Sequence, residues 1–188
     1  MTEREYLRHG FGKFNLWLDF VNSLEHDGLG HTTDHLQDPE WRGSFLRRWK
    51  LSAPPRQALP VASLLRLRAM LRAVAEKSSS PEPLKRSEFR ALDAAMSVWV
   101  RPHLFQRQNG LLLEYAPRQN DWRSIQAKIA ESLARTLVES SRERIKICPD
   151  PLCRWIFYDK TKGKTRIWCN EKTCGNRNRV RRSRAANK

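Results

Sequence analysis

The placement of the cysteines constrains this chain most. All four lie in the last quarter of 188 residues, spaced Cys148-x4-Cys153-x15-Cys169-x4-Cys174. Two close pairs separated by a short span can converge on one tetrahedral ion if a tight turn closes each pair. Pro149-Asp150-Pro151 supplies turn chemistry between the first two. Residues 154–158 and 165–168 read as strands with Lys162-Gly163 in the turn between them, and residues 176–186 hold no breaker and read as a helix. A knuckle, a hairpin and a helix carrying the last ligand in its first turn make a treble-clef-like module. Only Trp155, Phe157, Trp168 and Val180 remain to form its core. So few apolar residues cannot hold a fold alone, and a metal clip would add the missing stability. Two disulfides or free thiols are the alternative. Residues 1–10 are charged and lack an apolar signal core, which points to a cytoplasmic protein and favours metal ligation. Four thiolates suit zinc and leave no open position, so the expected site is structural.

Charge divides along the same line. Of the formal +16, residues 142–188 carry +11 (15 Lys+Arg against 4 Asp+Glu) and residues 1–141 carry the other +5. Lys172, Arg177, Arg179, Arg181, Arg182 and Arg184 crowd around the expected last helix, with Asn176 and Asn178 between them and Val180 as its one apolar anchor. A positive field on one module is the footprint of a phosphate-backbone partner. Arginine offers a planar fork to phosphate and guanine, and asparagine can pair with adenine. The aromatics sit in the hairpin rather than the tail, so duplex DNA is favoured over single-stranded RNA. A solvated tail that only aids solubility is the bland alternative. The four thiolates and Zn²⁺ carry a formal −2 that would absorb some cations. From residue 148 onward, however, the net is +9, more than that role needs.

Residues 1–144 read as a mostly helical domain and 145–188 as the basic module. Phe14, Leu16, Trp17, Leu18, Phe20, Val21 and Leu24 make a dense apolar segment, read as a short buried helix, with Asp19 and Asn22 inside it. Residues 25–37 read as a polar loop. His26, His31, Asp34 and His35 there are more simply polar than metal-binding. Asp38-Pro39 looks like a helix start, and Ala53-Pro54-Pro55 an end. Residues 60–77 place Leu64, Leu67, Leu71 and Val74 at helical spacing, with Arg66, Arg68 and Arg72 between them. Ser87 is expected to cap a further helix reaching Trp99. Residues 103–116 then change to strand period around Asn109-Gly110, a strong hairpin signal. Asp121 opens an amphipathic helix with Ile125, Ile129, Leu133 and Leu137 on one stripe, expected to run to about residue 144. No flexible spacer separates it from Cys148, so the module should be docked rather than tethered. The whole is α+β, a mostly helical N-terminal domain with one β-hairpin followed by a treble-clef-like zinc finger.

Several classes are excluded. No apolar run approaches the ~18 residues of a membrane span, and the basic tail has almost no apolar face to insert into a membrane surface. Gly10-Phe11-Gly12 does not continue into a dinucleotide fingerprint. No nucleophile–base pair or paired carboxylate motif is visible, so an enzyme is not expected.

Cys174-Gly175-Asn176-Arg177, followed by Arg179-Val180-Arg181-Arg182-Ser183-Arg184, resembles the CGNR zinc finger, together with Cys148-Pro149-Asp150-Pro151-Leu152-Cys153-Arg154-Trp155 and Trp168-Cys169. Leu18-Asp19-Phe20-Val21-Asn22-Ser23, the Asp38-Pro39 helix and the arginine-bearing helix after Pro60 look like the ABATE domain that precedes it. Ser23 stands where that family usually has threonine. The resemblance implies a bacterial stress-induced transcription regulator, with a helix-rich sensor domain and a DNA-binding finger. On that reading Cys148, Cys153, Cys169 and Cys174 hold one structural zinc ion. Lys172, Arg177, Asn178, Arg179, Arg181, Arg182 and Arg184 meet nucleic acid. Asp19, Asn22, Arg68 and Arg72 are the candidates to touch a small-molecule effector; alternatively, Asp19 and Asn22 satisfy local backbone or pair with an arginine. A homodimer is a further expectation. An RNA-binding protein and a zinc-organised protein-interaction module are the competing classes.

Overall fold

The computed structural model describes residues 15–187 except 53, 55, 56, 81, 99, 109 and 118. Phe14, Ala53, Pro55, Trp99, Asn109 and the Gly10-Phe11-Gly12 stretch therefore lie outside the described residues. Six α-helices and three two-stranded antiparallel ribbons are found among those described. Their order is α1 (Leu16–Val21), β1 (Leu24–His26), β2 (Thr32–Asp34), α2 (Pro39–Arg48), α3 (Val61–Ser78), α4 (Arg86–Met96), β3 (Val100–Arg107), β4 (Gly110–Pro117), α5 (Trp122–Glu139), β5 (Ile145–Ile147), β6 (Ile156–Tyr158) and α6 (Asn176–Ala186).

Side chains set the starts of α2, α4 and α5. The Asp38 carboxylate accepts the Glu40 N–H at 2.8 Å, with Pro39 as the first residue of α2. Asp121 accepts the Ser124 N–H at 2.7 Å and opens α5. Helix α4 begins before Ser87, because the Lys85 N–H donates to the Glu88 carboxylate at 2.5 Å and closes the first turn from that side. Helix α5 stops at Glu139, short of the expected 144. Ser140 is extended at φ −134°, and serine offers the backbone alternatives to helix. Residues 25–37, expected to be loop, hold β1 and β2 in antiparallel register. The Asp27 carboxylate accepts the N–H groups of Leu29, Gly30 and His31, at 2.6, 3.1 and 3.2 Å, in the turn between them.

Apart from Asp19, helix α1 is apolar all round, so it belongs inside. Trp17, Phe20 and Val21 meet Leu64, Leu67, Leu71 and Val74 of α3 and Ile125, Ile129 and Leu133 of α5 in one core. Each such side chain contributes about 1.5–3 kcal/mol by leaving water.

The β5–β6 ribbon divides this core from the cysteines. Ile145 pairs with Tyr158, and Ile147 with Ile156; these four pack into the helical core. The intervening pair, Lys146 and Phe157, points the other way, because strand side chains alternate. Phe157 joins Trp155, Trp168 and the four cysteines in a second cluster. Lys146 Nζ donates to the buried Asp159 at 2.7 Å and to the carbonyls of Lys164 and Arg166 at 2.5 and 2.8 Å. Asp159 also accepts the Thr161 and Arg166 N–H groups. Residues 165–168, expected as a strand, are thus fastened as loop to this ion pair, and β6 pairs instead with β5, upstream of the first cysteine.

Candidate zinc centre and nucleic-acid interface

The first cysteine pair sits in the connection between β5 and β6. The Cys148 N–H donates to the Trp155 carbonyl at 2.8 Å, and the Cys153 N–H to the Asp150 carbonyl at 2.9 Å, which folds the knuckle. Cys169 follows the fastened loop. Cys174 lies in a π-turn (Glu171–Gly175) that runs directly into α6. The Asn170 carboxamide oxygen accepts the Lys172 and Thr173 N–H groups and starts that turn.

All four sulfurs are buried and lie within 4.8 Å of one another. Cys169 Sγ is 3.6 Å from both Cys153 Sγ and Cys174 Sγ. A disulfide would need about 2.05 Å. Tetrahedral zinc with bonds of about 2.3 Å puts its sulfurs about 3.8 Å apart, so the donor set and its spacing fit one structural zinc ion. The crowding is visible in acidity. Hydrogen bonds from Cys153, then Cys169, lower the Cys148 thiol to about 7. Cys174 is held well below the ordinary thiol value, first by Cys148, while Cys153 and Cys169 are pushed above it. Four thiols this close cannot all ionise without a cation among them, and Zn²⁺ supplies that charge when bound.

Helix α6 is anchored by charge. Asp150 is fully buried, and its carboxylate accepts Arg177 Nε at 2.8 Å and Arg181 Nη1 at 2.9 Å. Burial alone would raise the Asp150 pKa, but the hydrogen bonds from Arg181 and Arg177 outweigh it and hold the carboxyl below its usual range. Arg177 also donates to Cys174 Sγ at 3.2 Å. Asn178 Nδ2 donates to the Cys174 carbonyl at 2.9 Å. Val180, expected as the anchor, is 42% exposed and absent from the second cluster. The ion-paired arginines, one helical turn apart, take that role. Lys172, Arg179, Arg182 and Arg184 are exposed; of these, Arg179 pairs with the equally exposed Glu171. Asp150 was legible only as a turn residue. The i, i+4 spacing of Arg177 and Arg181 was the available signal that two arginines share one acid.

Besides the packing of the ribbon, polar contacts bind the module to the helical domain. Asn22, just past α1, donates to the Ile156 carbonyl at 2.8 Å and accepts the Ile156 N–H at 3.1 Å, so its carboxamide takes the place of a neighbouring strand. Arg72 of α3 donates to the Arg154 carbonyl at 2.9 Å. Arg177 reaches the Asp27 carbonyl in the β1–β2 turn at 3.4 Å. There Gly28, at φ +78°, leaves no room for a Cβ: one would stand 1.9 Å from Arg177 Nη2.

The four residues expected to touch an effector are not gathered around one cavity. Asp19 is buried and accepts Arg48 Nη1 at 2.8 Å and Trp49 Nε1 at 2.6 Å. Arg68 grips both oxygens of Asp34, at 2.6 and 2.7 Å, and also Ser23. Asn22 and Arg72 lie on the seam with the cysteine module. A cleft of about 490 Å³ opens elsewhere, lined by Gln57, Ser63, Leu67, Ala95, Trp122 and Gln126 among others. His31 pairs with Asp27 and His35 with Glu25, and no histidine joins a metal-ligand cluster among the described residues.

A four-cysteine centre that seats an arginine-rich helix on a helical body defines a zinc-binding class of protein. Two families match. The CGNR zinc finger matches residues 144–186. The ABATE family, described as "Putative stress-induced transcription regulator", matches residues 15–140. The chain belongs to the ABATE family, with a C-terminal CGNR zinc finger. Neither description names an enzymatic activity. No curated protein matches the chain. No helix among the described residues is long and apolar enough to cross a membrane.

Proposed function

We propose that the protein is a transcription regulator that binds duplex DNA through its zinc-held helix. Zinc fixes the π-turn from which α6 springs, and Asp150 fixes the rotation of α6 about its axis. With Arg177 and Arg181 turned inward, Arg179 and Arg182 face outward, since at about 100° per residue they lie roughly opposite Arg177. Lys172 and Arg184 extend the exposed basic surface at either end. The observation that carries this reading is the buried Asp150 with its two arginines. A tail serving only solubility would need no buried acid to set its orientation.

In this mechanism Lys172, Arg179, Arg182 and Arg184 contact phosphates or base edges. Arg177, Asn178 and Arg181 hold the helix in place. The CGNR finger and the ABATE description support the regulatory part. Responsiveness to stress or a small molecule would act through the seam, where Asn22 and Arg72 join helical core to finger, rather than by those residues touching the effector. Selecting bound molecules from a random duplex pool with zinc-loaded protein, and repeating after chelation, tests the reading. An enriched motif lost on chelation supports it. Binding without enrichment, or preference for structured RNA, counts against it.

A further inference from the structure

The ribbon β3–β4 is eight residues long in each strand, yet its strands contact each other and no other helix or strand to a comparable extent. Two-stranded ribbons are marginal on their own in water. The register pairs Pro102 with Tyr115, Leu104 with Leu113 and Gln106 with Leu111. Alternation puts these six on one face with Val100. That face carries no charge. Val100, Leu104, Leu111, Leu113 and Tyr115 on it are between 50% and 67% exposed. The opposite face carries the charge: around the paired Phe105 and Leu112, Arg107 pairs with Glu114, and Arg101 Nε donates to His103. A sheet with one wet face and one dry face has its dry face covered when folded.

We propose that this dry face is the seam of a symmetric homodimer, the ribbon of one copy stacking face to face on the ribbon of a second. Three observations select that occupant. First, an uncharged apolar face is complementary to itself, and a two-fold axis closes the contact without leaving a free end. Second, proline within a strand is confined to positions where its missing N–H faces a free edge, so Pro102 weakens edge-on addition of a strand along β3; a strand added along β4 would extend the sheet without covering the dry face, which only stacking does. Third, the exposed apolar area is on the order of 500 Å² per copy, at the upper end of the patches monomers tolerate. Two such faces together bury about 1,000 Å², the lower limit of a specific interface, so association in the micromolar range is expected. The ribbon pairing stands on this geometry alone. Its consequence, two basic helices presented to two half-sites, rests on the DNA-binding reading.

The test is sedimentation of the zinc-loaded full chain without nucleic acid, over a concentration range spanning the micromolar. The wild type should move from 22.1 kDa toward twice that mass as concentration rises. Leu104→Glu combined with Leu113→Glu should stay at the single-chain mass, and so should Leu111→Arg near the ribbon tip. Arg107→Gln with Glu114→Gln, on the charged face, should dimerise like the wild type. Zinc content and far-UV circular dichroism establish that each variant is folded. A wild type that remains monomeric throughout, or folded apolar-face variants that still dimerise, overturns the proposal. Because no DNA is present, a failure of the DNA-binding reading would leave this result untouched.

Discussion

Asp150→Ala removes one small side chain but should release a whole helix. The carboxylate is fully buried, and its partners are 22% and 39% exposed. Removing it leaves Arg177 and Arg181 facing each other with no acid between them. Truncating one partner of a fully buried ion pair costs about 3–5 kcal/mol. Here water reaches the arginines and the zinc–thiolate charge remains 3.2 Å from Arg177, so a smaller loss of about 2 kcal/mol is expected. That corresponds to roughly 30-fold. The loss should fall on the finger rather than on the helical core, because the hydrogen bonds of Asp150 run to Leu152, Cys153, Arg154, Arg177 and Arg181, all within the finger. Titrating zinc with a competing chelator and measuring duplex-DNA affinity on the same preparation reads both consequences. Zinc affinity and DNA affinity should each drop by about that factor, while thermal melting of the helical domain followed at 222 nm moves little. Asp150→Asn, which keeps the shape and loses the charge, should fall between. Zinc and DNA affinities within about twofold of wild type for Asp150→Ala would refute the idea that a buried acid orients α6.

Other perturbations probe the seam and the metal. Asn22→Leu deprives both the N–H and the carbonyl of Ile156 of their partner, so urea unfolding should show a loss of about 2–4 kcal/mol; a change under about 0.5 kcal/mol would mean that solvent replaces the carboxamide. Gly28→Ala places a Cβ where Arg177 lies and at a φ costly for alanine, and should loosen the finger by about 1 kcal/mol, read as faster hydrogen exchange in α6 without loss of zinc. Cys174→Ser should abolish stoichiometric zinc in mass spectrometry under native conditions and leave the 176–186 helix frayed. Acid should act twice. The Asp150 pKa is depressed in the folded state, so its contribution is complete above the ordinary carboxylate value of about 3.9 and is lost as pH falls through the folded pKa. Zinc release by protonation of the thiolates should come at higher pH than that loss, and a single coincident transition would contradict this ordering.

The cysteine spacing sufficed for the zinc centre because four thiolates and two turns leave few alternatives. The α3 and α5 stripes were equally plain, since helical period is a local property. Less visible were features that depend on contacts distant in sequence. The β5 strand is only three residues long, and nothing in Ile145-Lys146-Ile147 announces that it pairs across the knuckle with Ile156-Phe157-Tyr158. Residues 165–168 alternate like a strand, but Lys146 and the buried Asp159 take the carbonyl and N–H of Arg166 instead. By hydropathy Val180 is the natural anchor of α6. Arg177 and Arg181 displaced it because a buried acid 27 and 31 residues earlier outweighs one half-exposed valine. Asn22 and Arg72 stood out as polar residues among apolar ones, and the physical reason is that each satisfies backbone of the finger. Asp27-Gly28 carried a turn signal that the surrounding polar residues obscured.

The most direct test of the central claim is the affinity of zinc-loaded protein for its selected duplex as a function of salt, compared with a variant carrying Arg179→Gln and Arg182→Gln. If α6 binds DNA with its outward face, the variant should bind more weakly, and the slope of log affinity against log salt should fall by about 0.9 for each phosphate contact removed. Equal affinity and slope for the two proteins, with zinc retained in both, would contradict the claim and move the partner of this helix to something other than DNA.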